Sequence, residues 1–242
     1  MDLDIPFIIG HRGASGEAPE NTVAAVMRAH ALGCRWVEID VQLSADGVPM
    51  VIHDHALART TNGRGPVRAM TADDLTALDA GSWFAPAFSD QRVPTLATML
   101  QTCRDRDLGL NIELKPSPGA DEETARAVAA AVKARVPPLL VSSFSRLALA
   151  AFHGTAPDIA LGALFKAPPN EDDLQALGLP LYSVHVGAQT LRHADVVRLL
   201  AAGYRVLSYT VNDPEQAQRL KDWGVTAIFT DFPGRFADHD AR

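Results

Sequence analysis

The sequence has few cysteines, no basic excess and no long apolar run. Only Cys34 and Cys103 are present among 242 residues, which excludes a disulfide framework and fits a reducing compartment. The formal net charge is -7, so a basic surface for nucleic acid is not expected. No apolar stretch reaches the roughly 20 residues that span a bilayer, and the run 5–9 is too short for a signal peptide core. We therefore expect a cytoplasmic protein without membrane insertion.

A Gly/Ser-rich linker is also lacking, which favours a single domain. Hydrophobic residues make up 47% of the chain, enough for one large core, and strand and helix signals are spread evenly over residues 1–242. The pattern breaks down only at about residues 54–92, where Thr60–Pro66 is rich in turn-forming residues. We interpret this segment as a small insertion after the second strand region.

Elsewhere, short apolar strands alternate with helices. The predicted strands cover 6–10, 36–41, 108–114, 139–143, 159–165, 181–185, 204–209 and 225–230, with a further short piece at 48–52. The predicted helices begin near Asn21, as an N-cap, and near Leu96, and cover 121–135, 145–152, 171–176, 191–201 and 214–222. Strand–helix alternation implies parallel pairing, and eight units in about 240 residues predict a (β/α)8 TIM barrel. A doubly wound open sheet is the alternative, although its Gly-x-Gly-x-x-Gly fingerprint is missing.

The strand Trp36–Val41 carries two carboxylates on an otherwise apolar sequence. Glu38 and Asp40 are two residues apart, so both side chains point to the same face of the strand. Two neighbouring like charges in an apolar setting require a counter-charge, which a divalent cation would supply. A solvated acidic edge strand is the alternative.

Polar residues gather at the carboxyl ends of the predicted strands, where barrels of this type carry their chemistry. Glu113 would join Glu38 and Asp40, and three carboxylates suit a hard cation, Mg²⁺ or Ca²⁺. Arg12 and Lys115 are candidates to bind a phosphoryl group. The remaining candidates are His11 and His53 for proton transfer, and Phe165, His185 and Tyr209 for the pocket wall, where a structural role is the alternative.

Several short motifs, in order, resemble the glycerophosphodiester phosphodiesterase family, most closely its short cytoplasmic bacterial type. They are His11-Arg12-Gly13, Pro19-Glu20-Asn21-Thr22, Glu38-Ile39-Asp40-Val41, His53-Asp54, Ile112-Glu113-Leu114-Lys115, Thr210-Val211-Asn212 and Thr230-Asp231-Phe232-Pro233. The resemblance implies metal-dependent hydrolysis of small glycerophosphodiesters, such as glycerophosphocholine and glycerophosphoethanolamine, to sn-glycerol 3-phosphate and an alcohol. It implies that Glu38, Asp40 and Glu113 hold the metal, that His11 and His53 act as acid and base, and that Arg12 and Lys115 bind phosphate.

The sequence departs from the family pattern at Tyr209, and two alternative functions remain open. Tyr209 stands where members often carry Trp, which leaves the preferred alcohol open. A phospholipase C/D-like enzyme acting on lipids would share the same parts, but no exposed apolar membrane-binding stretch is evident. A non-catalytic phosphate-binding barrel would have lost a histidine, and both are present. Homo-oligomerisation stays open.

Overall fold

The computed structural model describes residues 3–132 and 137–236. Its strands are β1 (Ile8–Gly10), β2 (Trp36–Leu43), β3 (Pro49–Val51), β4 (Gly109–Leu114), β5 (Leu139–Ser143), β6 (Ala160–Phe165), β7 (Leu181–Gly187), β8 (Arg205–Tyr209) and β9 (Ala227–Thr230). Its α-helices are α1 (Val23–Ala31), α2 (Ala72–Ala77), α3 (Leu96–Arg104), α4 (Asp121–Ala131), α5 (Arg146–Thr155), α6 (Glu171–Leu177), α7 (His193–Ala201) and α8 (Pro214–Asp222). The predicted helix over 121–135 is α4, and residues 133–135 of that prediction lie outside the described residues.

Eight of these strands close into a parallel barrel in the order β1, β2, β4, β5, β6, β7, β8, β9. Closure is made by β1, which pairs with β9 through Ile8 and Ile228 and with β2 through Gly10 and Val37. β3 instead runs antiparallel to β2, with Val51 opposite Val41, and extends it beyond the barrel. The (β/α)8 prediction is therefore confirmed and the open-sheet alternative is wrong.

Alternation along β2 decides which side chains face the inside of the barrel. Val37, Ile39 and Val41 belong to the large core between the strands and the surrounding helices. Trp36 belongs to a separate cluster inside the barrel, so Glu38 and Asp40, which share its face, point inward as well. The two carboxylates consequently lie in the barrel mouth and not on a solvated sheet edge.

The start of α1 differs from the prediction. Thr22, not Asn21, is the N-cap, and its hydroxyl accepts a hydrogen bond from the Ala25 amide at 3.2 Å. Asn21 has a φ of 58° and turns its side chain to Asp40. The predicted N-cap was wrong because both residue types suit the position, and only the neighbouring strand selects between them.

The segment between β3 and α3 holds α2 and three 3₁₀ turns, Leu57–Arg59, Val67–Ala69 and Pro86–Phe88. It packs around its own small apolar cluster, whose members include Met50, Leu57, Val67, Leu75 and Val93. We propose that this segment is the insertion predicted at about residues 54–92, carried by a single barrel domain. Within the described ranges, no helix combines the length and apolar character needed to cross a bilayer.

Candidate active site

Three carboxylates meet at the carboxyl end of the barrel. Glu38 and Asp40 come from β2 and Glu113 from β4, where Asp40 and Glu113 are register partners. One oxygen from each carboxylate lies within 4.8 Å of the other two. Glu38 and Asp40 are almost fully buried, with exposed fractions of 3% and 1%. Parallel pairing has thus placed side chains that are far apart in sequence on one interior face.

Two cationic side chains contact this cluster. Arg12 Nε lies 3.2 Å from Asp40 Oδ2, and Lys115 Nζ lies 3.7 Å from Asp40 Oδ1. Lys115 also donates to Glu113 Oε1 at 2.9 Å. The backbone amide of Arg12, a residue with a φ of 53°, donates to Glu38 Oε2 at 2.9 Å. This left-handed conformation is unfavourable for a residue other than glycine. Here it directs both the amide and the guanidinium of Arg12 at the carboxylates.

Burial and the charges of the cluster shift the pKa values of its carboxyl groups in opposite directions. Burial, followed by the charges of Asp40 and Glu113, raises the pKa of Glu38 well above its usual value. Burial and the charge of Asp40 likewise raise the pKa of Glu113. Burial alone would raise the pKa of Asp40, but Arg12 and Lys115 outweigh it and the pKa of Asp40 is lowered. The raised values indicate a cluster that still lacks positive charge.

These residues fit a hard divalent cation. All three candidate metal ligands are carboxylates, and Glu38 Oε1 is buried without a hydrogen-bond partner among the described protein atoms. An orphaned buried carboxylate oxygen beside two further carboxylates is the ligand chemistry that Mg²⁺ and Ca²⁺ prefer. Glu38, Asp40 and Glu113 are therefore the residues that could hold a metal.

His11 stands beside this cluster and is oriented by Asp231. His11 Nδ1 lies 2.6 Å from Asp231 Oδ1, and Nε2 lies 4.0 Å from Glu38 Oε2. Asp231 also accepts hydrogen bonds from Ser15 Oγ at 2.8 Å and Asn212 Nδ2 at 2.7 Å. Burial by itself would raise the pKa of Asp231, but these bonds and the adjacent imidazole lower it below its usual range. An ionised Asp231 favours the proton on Nδ1 and leaves Nε2 free.

His53 has the same arrangement with its chain neighbour. His53 Nδ1 lies 2.6 Å from Asp54 Oδ1, and Arg59 Nε donates to Asp54 Oδ2 at 2.6 Å. Arg59 in turn pairs with Glu20, whose other contact is Arg12 at 2.7 Å. A continuous chain of ion pairs thus links the support of His53 to the carboxylate cluster. Burial, with help from the cationic neighbours, lowers the pKa of His53, so its imidazole is neutral near pH 7.

A small cavity of about 30 Å³ lies against the cluster. Its lining comprises His11, Glu38, Asn111, Glu113, Leu164, His185, Tyr209 and Phe229. Tyr209 donates from its hydroxyl to the backbone oxygen of Phe165 at 2.8 Å, which places Phe165 behind Tyr209 and outside this lining. A larger cavity of about 640 Å³ is lined by residues such as Leu139, the first residue of β5, and Ile159, which precedes β6. None of the carboxylates or candidate histidines borders it.

Comparison with known proteins identifies the family. A profile of the glycerophosphoryl diester phosphodiesterase family matches residues 11–235. The chain belongs to this family. A glycerophosphodiester phosphodiesterase from Caldanaerobacter subterraneus is 36% identical over 232 residues, covering 94% of each chain. One from Bacillus subtilis is 31% identical, over 98% of this chain and 87% of its own. A phosphodiesterase from Oleispira antarctica, solved in complex with the product sn-glycerol-3-phosphate, is 38% identical, with a TM-score of 0.93 over 97% of this chain and 96% of its own.

Family membership confirms the predicted resemblance and the prediction of a phosphodiesterase enzyme. The structure brings seven of the predicted residues into one site: His11, Arg12, Glu38, Asp40, His53, Glu113 and Lys115. Tyr209 and His185 border the adjoining cavity, and Phe165 supports Tyr209 from behind. The chemical roles of all ten stay predictions.

Sequence reasoning missed the residues that orient the two imidazoles. Asp54 and Asp231 are carboxylates beside histidines, and neither was assigned a role. Asp54 follows His53 directly, so adjacency was an available signal. Asp231 is 220 residues from His11, and its signals were its position just after a predicted strand and its place in the motif Thr230-Asp231-Phe232-Pro233.

Proposed function

We propose that this protein hydrolyses water-soluble glycerophosphodiesters, such as glycerophosphocholine and glycerophosphoethanolamine, to sn-glycerol 3-phosphate and an alcohol. The observation that carries the proposal is the pair of Asp–His contacts beside three carboxylates, of which Glu38 and Asp40 are buried and Glu113 is partly buried. Each contact holds Nδ1 and leaves Nε2 available, which is the arrangement of an imidazole that moves protons. Family membership and the glycerol-phosphate product bound by the Oleispira relative support the substrate class.

The charge of the site suits a phosphodiester and a divalent cation together. With all three carboxylates ionised, as binding of a cation would require, they and the two cations Arg12 and Lys115 have one net negative charge. Mg²⁺ or Ca²⁺ held by Glu38, Asp40 and Glu113 would reverse that sign, and a singly charged phosphodiester would then bring the total to zero. When bound, such a cation stabilises negative charge on the phosphoryl oxygens. Arg12 and Lys115 would bind and orient those oxygens.

The two histidines would transfer the protons of the reaction. One accepts a proton at Nε2 from the attacking oxygen, and the other donates a proton from Nε2 to the departing alcohol. A glycerol hydroxyl as the attacking group produces a cyclic phosphate that water then opens, whereas direct attack by water does not. Only the first route forms cyclic glycerophosphate, so its detection in quenched single-turnover reactions would establish that route.

The decisive assay is release of glycerol 3-phosphate from glycerophosphocholine, measured with a coupled dehydrogenase in the presence of Mg²⁺ or Ca²⁺. His11→Ala and His53→Ala should each fold normally and lose about 10²- to 10⁴-fold in kcat. His30→Ala is the matched control, because His30 is exposed on α1 and outside the site. Absence of product with all soluble diesters, or release of product only from lipid vesicles, would overturn the proposal. The cytoplasmic location stays a prediction.

A further inference from the structure

Two residues that line the small cavity, Asn111 and His185, have no role in the proposed reaction. Asn111 precedes Glu113 by two residues on β4, so it lies one pleat deeper inside the barrel on the same face. His185 on β7 is fully buried, with an exposed fraction of 0%. Both line the same cavity as Glu38, and all three residues are at least nine-tenths buried.

Each of these three residues has a buried polar atom without a partner among the described protein atoms. The atoms are Glu38 Oε1, Asn111 Oδ1 and His185 Nδ1. Native proteins rarely leave such atoms unpaired, because an unpaired buried polar group loses its hydration without compensation. All three residues line one cavity, and this coincidence is the basis for inferring a shared ligand.

The orientation of His185 is fixed by its surroundings. Its Nε2 lies 2.8 Å from Ser183 Oγ, and its ring packs against Phe229 at 5.3 Å between centroids. A Cβ at Gly162 would lie 2.5 Å from Nε2, so this ring position requires glycine on the neighbouring strand. The Asn111 amide is fixed in a similar way, because its Nδ2 donates to Ser142 Oγ at 3.1 Å and leaves Oδ1 free.

The hydrogen bonds that these three atoms can form are those that one water molecule can satisfy. Burial lowers the pKa of His185 to about 3, so the ring is neutral and carries a single N–H. We take Ser183 Oγ as the donor to Nε2, which puts that hydrogen on Nδ1 and makes Nδ1 a donor. A water that accepts from Nδ1 still has two O–H groups, which meet the two acceptors Glu38 Oε1 and Asn111 Oδ1.

The volume points to the same ligand. The cavity offers about 30 Å³ of space for water centres, and a buried water needs roughly 10–15 Å³ of such space and two to four polar partners. One or two waters fit.

We propose that this cavity is a built hydration site, in which water bridges His185 Nδ1 to Glu38 Oε1 and Asn111 Oδ1, and that His185 is a positioning residue for Glu38. The carboxylate oxygen has two lone pairs, so the bridge leaves one for other ligands. Only the consequence for cation binding rests on the proposed function. The hydration site itself is inferred from the unpartnered atoms and the cavity of this chain.

The first test uses the wild-type protein and needs neither substrate nor metal. A high-resolution crystal structure should show a water within hydrogen-bond distance of His185 Nδ1 and Glu38 Oε1. Nitrogen-15 NMR of histidine should show His185 as the neutral Nδ1–H tautomer. An empty cavity, or the opposite tautomer, would overturn the proposal whether or not the protein is active.

The second test measures the Kd for Mg²⁺ and for Ca²⁺ by calorimetry on metal-free protein. Loss of an outer support of a metal ligand costs about 10- to 100-fold in affinity, which is the expected effect of His185→Phe. His185→Gln keeps a donor in nearly the same place and should recover most of that loss. Unchanged affinity in a folded His185→Phe protein would refute the positioning role. If that variant does not fold, the wild-type density and tautomer decide. If the wild type binds neither cation, the metal assignment fails, and the hydration site is still judged by the first test.

Discussion

Replacing Asp231 by Asn tests the orientation of His11 and leaves the three candidate metal ligands unchanged. In the wild type, the Asp231 carboxylate accepts from His11, from Ser15 Oγ and from Asn212 Nδ2. An Asn side chain offers only one oxygen to these three donors. The structure determines which of them would keep it.

Asn212 cannot readily turn its amide to accommodate the change. Its Oδ1 already accepts from the Asp231 backbone amide at 2.9 Å and from Thr230 Oγ1 at 3.1 Å, so its NH₂ group continues to face position 231. The new side chain must therefore direct its oxygen to Asn212 and its NH₂ to His11. His11 Nδ1 then becomes an acceptor, its proton moves to Nε2, and the imidazole is in the wrong tautomer to act as a base.

The expected loss in kcat is about 10²- to 10⁴-fold, the contribution of one general acid or base. This range corresponds to about 2.7–5.5 kcal/mol in activation free energy. The assay is release of glycerol 3-phosphate, with thermal unfolding to confirm the fold. Asp213→Asn is the matched control, because Asn caps the exposed start of α8 as well as Asp does. A folded Asp231→Asn protein within a few-fold of wild-type kcat would refute the tautomer reasoning.

Four further outcomes follow from the structure. Exhaustive chelation should abolish activity and added Mg²⁺ or Ca²⁺ should restore it, so full activity after chelation would contradict the carboxylate assignment. Arg59→Met should lower kcat by loosening Asp54, yet change the urea unfolding free energy by only about 1 kcal/mol or less, because the Arg59 side chain is 44% exposed. Burial lowers the pKa of His185 to about 3, whereas an unfolded histidine has a pKa of about 6.5. Between these values the unfolded chain binds a proton at His185 that the folded protein does not, so the free energy of unfolding decreases as the pH falls below about 6.5. By pH 5 the wild type should lose about 2 kcal/mol through this group, and His185→Gln should not, in urea titrations at both pH values. Burial raises the pKa of the Cys103 thiol to about 12, so a thiol reagent at pH 8 should label it only after unfolding, and rapid labelling of the native protein would contradict this.

The local pattern of the sequence was enough to predict the barrel and the carboxylate cluster. Period-two alternation on β2 put Glu38 and Asp40 on one face, and the parallel strand–helix order put the carboxyl ends of all barrel strands at one rim. Both properties are short-range, because they depend on residues within one element and on the order of elements. The same two rules bring Glu113 to that rim, whereas its register opposite Asp40 is decided by how β2 and β4 pair.

Only the tertiary structure decided how these groups are supported. Closure of β1 against β9 brings Asp231 to His11 across 220 positions, and the fold of the inserted segment brings Arg59 to Glu20 across 39. Asn21 was predicted as a cap and instead serves Asp40, because a neighbouring strand offers it a stronger, charged partner. Such pairings depend on where several elements meet in space, and no periodicity within a single element contains that information.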